Sequence, residues 1–338
     1  MINEAAINNY KKLFDNFLHA VPDAKAVFLL TQQDATIECS SLREGVNGKL
    51  NKPVIAQLTT IFDRLANEQL VAGGGTSILE FDDGRFVYVR VNDKIACFVF
   101  DVITYVDKVL PYVYLTAEKV KVLSLGKEAE LDVPSIEPDV EDNLDHEVFM
   151  ELLSTSTSLT YKAIVLGDQA VGKTSLILRY SKGKFGFNSL PTIGVSITTH
   201  PVEIPLSAVR LNLQIWDLGG QDQFRRIRQN YYSGANVSLL VFDVTNRDSL
   251  VNLIRWNDER KQFAGDIPAI LVGNKNDLFD KRVVSKEEAE AFAAKLNLPY
   301  METSALTGAN VGEIFKLAGF KVLNREAKKA GFGAMGDQ

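Results

Sequence analysis

Eight consecutive residues, Gly167-Asp168-Gln169-Ala170-Val171-Gly172-Lys173-Thr174, have the types and the spacing to hold a phosphate chain. The glycines let successive backbone N–H groups turn inward around an anion at a helix start, where the peptide dipoles favour negative charge. Lys173 adds a mobile positive charge toward the β and γ phosphates, and the Thr174 hydroxyl can sit on Mg²⁺, with Ser175 completing the cradle. The flanks agree with this chemistry. Ala163 to Leu166 reads as a short buried strand and Ser175 to Tyr180 as the opening of a helix. By itself such a loop does not separate ATP from GTP, or a switch from a kinase or motor.

Other segments narrow the choice. In Trp216-Asp217-Leu218-Gly219-Gly220-Gln221, an aspartate at a strand end can hold a Mg²⁺ water. Gly220 leaves its N–H free for a γ phosphate, and Gln221 can orient an attacking water. Asn274-Lys275-Asn276-Asp277 offers a carboxylate, Asp277, that can accept the ring N–H and exocyclic amino hydrogens of guanine, a pair adenine lacks. Lys275 would lie along the base plane and Asn274 would tie this loop back to the phosphate loop. Ser304, Ala305 and Leu306 bring small residues and backbone N–H groups toward the guanine carbonyl oxygen. Thr192, in Leu190-Pro191-Thr192-Ile193-Gly194, can reach Mg²⁺ and the γ phosphate only when that phosphate is present. Phe185 is placed either to stack on the base edge or to serve as a core aromatic.

These groups need a scaffold that gathers them at one edge. From Tyr161 onward strands alternate with helices, which implies a mostly parallel sheet covered on both faces. The strands fall at 162–166, 195–204, 209–218, 237–244, 269–274 and 300–304. Asp248 is read as the cap of a helix running to Gln262, Ser285-x-x-Glu288 as a capping box, and 311–328 as the closing helix. In such sheets ligands bind at the carboxyl ends of the strands, where the motifs fall.

With these motifs in this order, residues 160–330 resemble a Ras-superfamily small GTPase, closest to the Rab family in Thr192-Ile193-Gly194-Val195, Leu213 to Asp217, Tyr231 to Ala235 and Val241 to Thr245. The resemblance implies Mg²⁺ and GTP or GDP as ligands. It places Lys173 on the phosphates, Thr174 and Thr192 on the metal with Asp217 acting through water, Gln221 on the hydrolytic water and Asp277 on guanine. It also implies effectors, activating proteins and exchange factors at the switch segments, and slow hydrolysis without an activator. Two features depart from the pattern. Leu218-Gly219 stands where Ras and Rab carry Thr-Ala and looks more like the Arf family, and Gln169 stands where Ras has glycine. Arg225, Arg226 and Arg228 are read as part of a switch surface. The alternative function is a nucleotide-bound scaffold with little or no turnover.

The rest of the chain reads as a partner module. At 338 residues two domains are expected. Helical periodicity covers Ile7 to Val21 and, after Pro53, Val54 to Leu65. Strands are expected at 26–30, 36–39, 77–81, 86–91 and 95–100. A last helix covers 104–120, which Pro111 should kink or delay. The order helix, two strands, helix, three strands, helix resembles the Roadblock family of dynein light chains. That resemblance implies self-association or partner docking through the 54–65 helix.

Between the modules, residues 126–151 hold ten acids against one base, Lys127, with Pro134 and Pro138. They are read as a solvated linker, or as an acidic peptide docking back on one domain. The expected division is therefore a Roadblock-like α+β domain over 1–122, an acidic linker over 123–157, and a flexible tail over 331–338. Residues 158–330 take the α/β P-loop GTPase fold, a mostly parallel six-stranded sheet with helices on both faces. Cys39 and Cys97 are read as buried thiols, and His19, His146 and His200 are too scattered to bind a metal. No basic stripe suggests nucleic acid, no apolar run has the length of a spanning helix, and neither signal peptide nor lipid anchor is recognised. A cytoplasmic protein is expected.

Overall fold

The computed structural model describes residues 4–31, 36–44, 46, 76–81, 84–101, 104, 106–136, 158–185, 195–204, 209–220 and 229–335. The chain divides into two compact units, the first drawn mainly from residues 1–136 and the second mainly from 137–338.

The first unit begins with helix α1 (Glu4–Ala20), followed by strands β1 (Ala24–Thr31), β2 (Ile37–Leu42), β3 (Thr76–Phe81), β4 (Gly84–Val91) and β5 (Lys94–Phe100), and then helix α2 (Val106–Ser124). The strands form one antiparallel sheet in the order β2-β1-β5-β4-β3. The runs Val27-Phe28-Leu29-Leu30 and Phe98-Val99-Phe100 are apolar at every position, as a sheet buried on both faces requires. On one face α1 and α2 pack together, with the Phe17 ring edge-on to Phe98 at 4.9 Å between centroids. The other face is a separate buried cluster of Ala26, Phe28, Leu30, Phe86, Tyr88, Ile95, Cys97 and Val99. The helix expected at 54–65 lies outside the described residues.

Two features of this unit differ from the sequence reading. Pro111 neither delays nor ends α2, which starts at Val106 and contains the proline. As the sixth residue of α2, Pro111 lacks the N–H that would bond the carbonyl of residue 107, a single loss within a 19-residue helix. The first part of the acidic stretch, moreover, takes the docking alternative and not the solvated linker. Residues 127–136 form a strap on the unit: Asn16 Nδ2 donates to the Leu131 carbonyl at 2.9 Å, Lys119 Nζ to the Glu130 carbonyl at 2.8 Å, and the Ile136 N–H to the Ala20 carbonyl at 2.9 Å. Pro134 is buried. The remainder of the acidic stretch, from residue 137, lies outside the described residues.

The second unit contains β6 (Ser158–Leu166), α3 (Lys173–Lys182), β7 (Val195–Glu203), β8 (Arg210–Leu218), β9 (Val237–Asp243), α4 (Arg247–Val251), α5 (Leu253–Ala264), β10 (Ala269–Asn274), α6 (Lys286–Leu296), β11 (Tyr300–Thr303) and α7 (Val311–Met335). Its sheet runs β11-β10-β9-β6-β8-β7, parallel throughout except that β7 pairs antiparallel with β8. One core gathers Ile164, Leu166, Leu240, Phe242, Trp256, Leu271 and Tyr300. Against β7, β8, β9 and β10 lie α3 and α7.

Helix termini follow from local chemistry. Ser285 Oγ accepts the Glu288 N–H at 3.1 Å and caps α6, whereas the Glu288 carboxylate turns to Arg247 at 2.7 Å instead of closing the box. Asn246, not Asp248, caps α4, its side-chain oxygen taking the N–H groups of Asp248 and Ser249 at 3.1 and 3.4 Å. The closing helix continues to Met335, so the stretch from 331, expected as a flexible tail, is helical for its first five residues.

Candidate functional site

The carboxyl end of the second sheet collects the expected loops that follow β6, β10 and β11, together with the first two residues after β8. Between the end of β6 and the start of α3 the backbone reverses through Gly167, Ala170 and Gly172, at φ of 139°, 64° and 99°. Gly172 caps α3, and a Cβ there would lie 2.2 Å from Asn274 Nδ2, so only glycine allows the approach. Lys173, just 6% exposed, donates from Nζ to the Gly167 carbonyl at 2.8 Å and the Asp168 carbonyl at 2.7 Å. Its ammonium is thereby held within the curl of the loop. Val171 is buried, Ser175 half-buried in the first turn, and Gln169 exposed.

Thr174 Oγ1 donates to Asp217 Oδ2 at 2.5 Å. This pairs the first turn of α3 with the end of β8. Two hard oxygen donors without a thiolate or imidazole suit Mg²⁺, so these residues fit that ion.

Asn274 ties three loops together. Only 1% exposed, it donates from Nδ2 to the Val171 carbonyl at 2.9 Å, and its Oδ1 accepts the Thr303 hydroxyl at 3.2 Å and the Ala305 N–H at 3.3 Å. Phosphate loop, β10 end and β11 end therefore share one amide. Beyond it, the Ser304 hydroxyl donates to Asp277 Oδ1 at 2.5 Å and accepts the Thr307 N–H at 3.0 Å. That bond orients the carboxylate through one oxygen.

Not every expected residue takes its expected pose. Lys275, at φ 68°, places Nζ 2.6 Å from Asp243 Oδ2, while Asp243 Oδ1 accepts both the N–H and the hydroxyl of Thr245. The ammonium is thus bound to a carboxylate at the end of β9, a partner the sequence reading did not supply. The Asp168 side chain likewise leaves the phosphate loop to accept Asn252 Nδ2 at 2.7 Å and Trp256 Nε1 at 2.8 Å. Leu306 is 40% exposed beside buried Ala305, and Phe185 is half-buried past the end of α3. Thr192, Gln221, Arg225, Arg226 and Arg228 lie outside the described residues. Asn252 and Trp256 were missed by sequence reasoning. Their signal was an amide and an indole on one helical face, at i and i+4, following a nucleotide motif.

Beside the site, on β6 and β8, Lys162 Nζ sits 3.8 Å from the Trp216 ring centroid and donates to the Ser233 carbonyl at 2.8 Å. Burial lowers the affinity of this ammonium for its proton. Further out, Arg282 grips Glu302 through two bonds of 2.8 and 2.7 Å, and this pairing raises the guanidinium pKa.

Comparison with known proteins matches this region. The family model described as the Ras family matches residues 162–324. The GTP-binding protein ypt3 of Schizosaccharomyces pombe is 40% identical over 175 residues, 51% of this chain and 81% of that protein. Ras-related protein Rab-2B of Dictyostelium discoideum is 40% identical over 178 residues, covering 52% and 87% of the two chains. Ras-related protein RABA4b of Arabidopsis thaliana is 37% identical over 177 residues, covering 52% and 78%. With the phosphate loop, the Thr174–Asp217 pair and the Asn274 bridge gathered at one sheet edge, the chain belongs to the Ras family of small GTPases, enzymes that hydrolyse GTP.

Proposed function

We propose that the second unit is a Rab-like, Mg²⁺-dependent guanine-nucleotide switch acting in membrane trafficking or signalling. The first unit, on this reading, is a Roadblock-like module that dimerises the chain or docks a partner. The observation that carries the switch reading is the Asn274 amide. By joining the phosphate loop to the Asp277 and Ser304 loops, it holds the two ends of a nucleoside-phosphate site at a fixed separation.

In this reading Lys173 exchanges its two loop carbonyls for phosphate oxygens. Thr174 and Thr192 would hold Mg²⁺, with Asp217 acting on it through water, and the bound ion would supply positive charge to offset that of the phosphates. Asp277, aligned by Ser304, accepts the guanine ring N–H and amino hydrogens, and the Ser304-Ala305-Leu306 loop faces the guanine carbonyl. Gln221 orients the water for in-line attack. Unaided turnover of this kind runs at on the order of 10⁻⁴ s⁻¹.

The test is phosphate release from purified protein with GTP, compared with Gln221→Leu. The expected outcome is slow release in the parent and a clear loss in the variant. Equal background release in both would favour the scaffold that holds nucleotide without turning it over. For the first unit, the observed succession of a helix, two strands, three further strands and a closing helix around one antiparallel sheet supports the Roadblock-like reading.

A further inference from the structure

We propose that Asp168 is a positioning residue. Its carboxylate, braced by α5, holds the phosphate loop in its binding shape and so sets how fast guanine nucleotide leaves. The inference rests on the nucleotide reading of the site and adds to it a determinant outside the phosphate-contacting groups.

A carboxylate in the second position of a phosphate loop is an electrostatic problem, because it stands near the anion the loop must hold. In this chain it is turned away and neutralised. Asn252 Nδ2 donates to Oδ2 at 2.7 Å, Trp256 Nε1 donates to Oδ1 at 2.8 Å, and an Arg255 guanidinium nitrogen stands 3.8 Å from Oδ1. The three residues fall at i, i+3 and i+4, the spacing that brings side chains to one face of a helix. Trp256 is 1% exposed and locked in the core, so its N–H is a fixed point and not a mobile surface donor.

Two nucleotide elements meet the same residue through its backbone. The Asp168 carbonyl accepts Lys173 Nζ at 2.7 Å. A Cβ added to Gly220 would stand 2.7 Å from the Asp168 carbonyl carbon, so the turn after β8 rests directly on this peptide. The side chain of Asp168 therefore anchors to α5 the stretch of backbone on which the phosphate lysine and the γ-phosphate glycine converge. Without the anchor the loop gains freedom in its empty state, and nucleotide retention falls because binding must then order it again.

Release of a fluorescent N-methylanthraniloyl-GDP from the full chain, chased with excess GDP, reads the effect directly. Asp168→Ala is expected to release about tenfold faster than the parent, the size set by losing charge-assisted hydrogen bonds. Trp256→Phe keeps the ring in the core and removes only the N–H donor, so it is expected to accelerate release without unfolding. The combination of the two should be no faster than Asp168→Ala alone, since both break one coupled unit. Asp168→Asn keeps an acceptor for Trp256 Nε1 and lets the exposed Asn252 amide turn over to accept from it, so its release should fall between the parent and Asp168→Ala. Asp168→Ala or Trp256→Phe releasing at the parent rate, effects that multiply in the combination, or Asp168→Asn no slower than Asp168→Ala would each overturn the brace. A parent that retains no guanine nucleotide would instead overturn the reading of the site itself.

Discussion

Asn274 carries more of the site than a place in a base-recognition motif suggests. Its single amide supplies one donor and two acceptances to three loops in a buried setting. Asn274→Ala should therefore lower stability by about 1–3 kcal/mol, the usual cost of orphaning buried partners, measurable by urea unfolding. Asn274→Asp should be at least as damaging, although it keeps the acceptor for Thr303 and Ala305. It removes the donor to Val171 and turns a carboxylate toward that carbonyl. At this scale the residue types and their order were legible in the chain, because the chemistry proposed for phosphate, metal and guanine demands particular groups. The partners of Lys275 and Asp168 were not. The ion pair of Lys275 with Asp243 and the hydrogen bonds of Asp168 with Asn252 and Trp256 join residues far apart in sequence, and no local pattern encodes which strand end or helix face arrives opposite.

Among the elements, the strap at 127–136 decides between the two readings of the acidic stretch in favour of docking. Glu128, Glu130 and Asp132 are exposed while Ala129, Leu131 and Val133 are half-buried, an alternation of period two. That signal was present but outweighed by the density of acids and the two prolines. Composition describes side chains, whereas this segment is held largely through its backbone, by Asn16, Lys119 and the Ala20 carbonyl. Replacing both anchors, as Asn16→Ala with Lys119→Met, should speed cleavage after Glu128 and Glu130 by a glutamate-specific protease. Cleavage at the parent rate would mean the two side chains do not hold the strap. A second element-scale prediction concerns Arg43, whose guanidinium donates to the Leu18 carbonyl, to Val21 at 3.0 Å and to Ala24 at 2.8 Å. It satisfies carbonyls at the end of α1 and just beyond it. Arg43→Met keeps the apolar stem and should cost about 2 kcal/mol of stability by chemical denaturation.

On the scale of the whole molecule, the division into two units gives the partner-module proposal a clean test. If the first unit dimerises the chain, light scattering should return about twice the 37.4 kDa chain mass. Removing residues 1–136, the boundary that keeps the strap with its own unit, should return the remainder to monomer. A full-length chain of monomer mass would refute dimerisation through this module. Among the described residues no helix is long and apolar enough to cross a membrane.

Most strand and helix positions described in the second unit were legible in the sequence alone, because apolar periodicity and turn residues act over a few neighbours. The phosphate loop, for example, is bounded by a strand and a helix whose apolar runs are contiguous in the chain. What tertiary structure decided is how those loops are held: the Asn274 bridge, the Asp168 brace on α5 and the docked acidic strap. Each depends on hydrogen bonds between segments distant in sequence. Their geometry exists only once the sheet has placed the segments side by side.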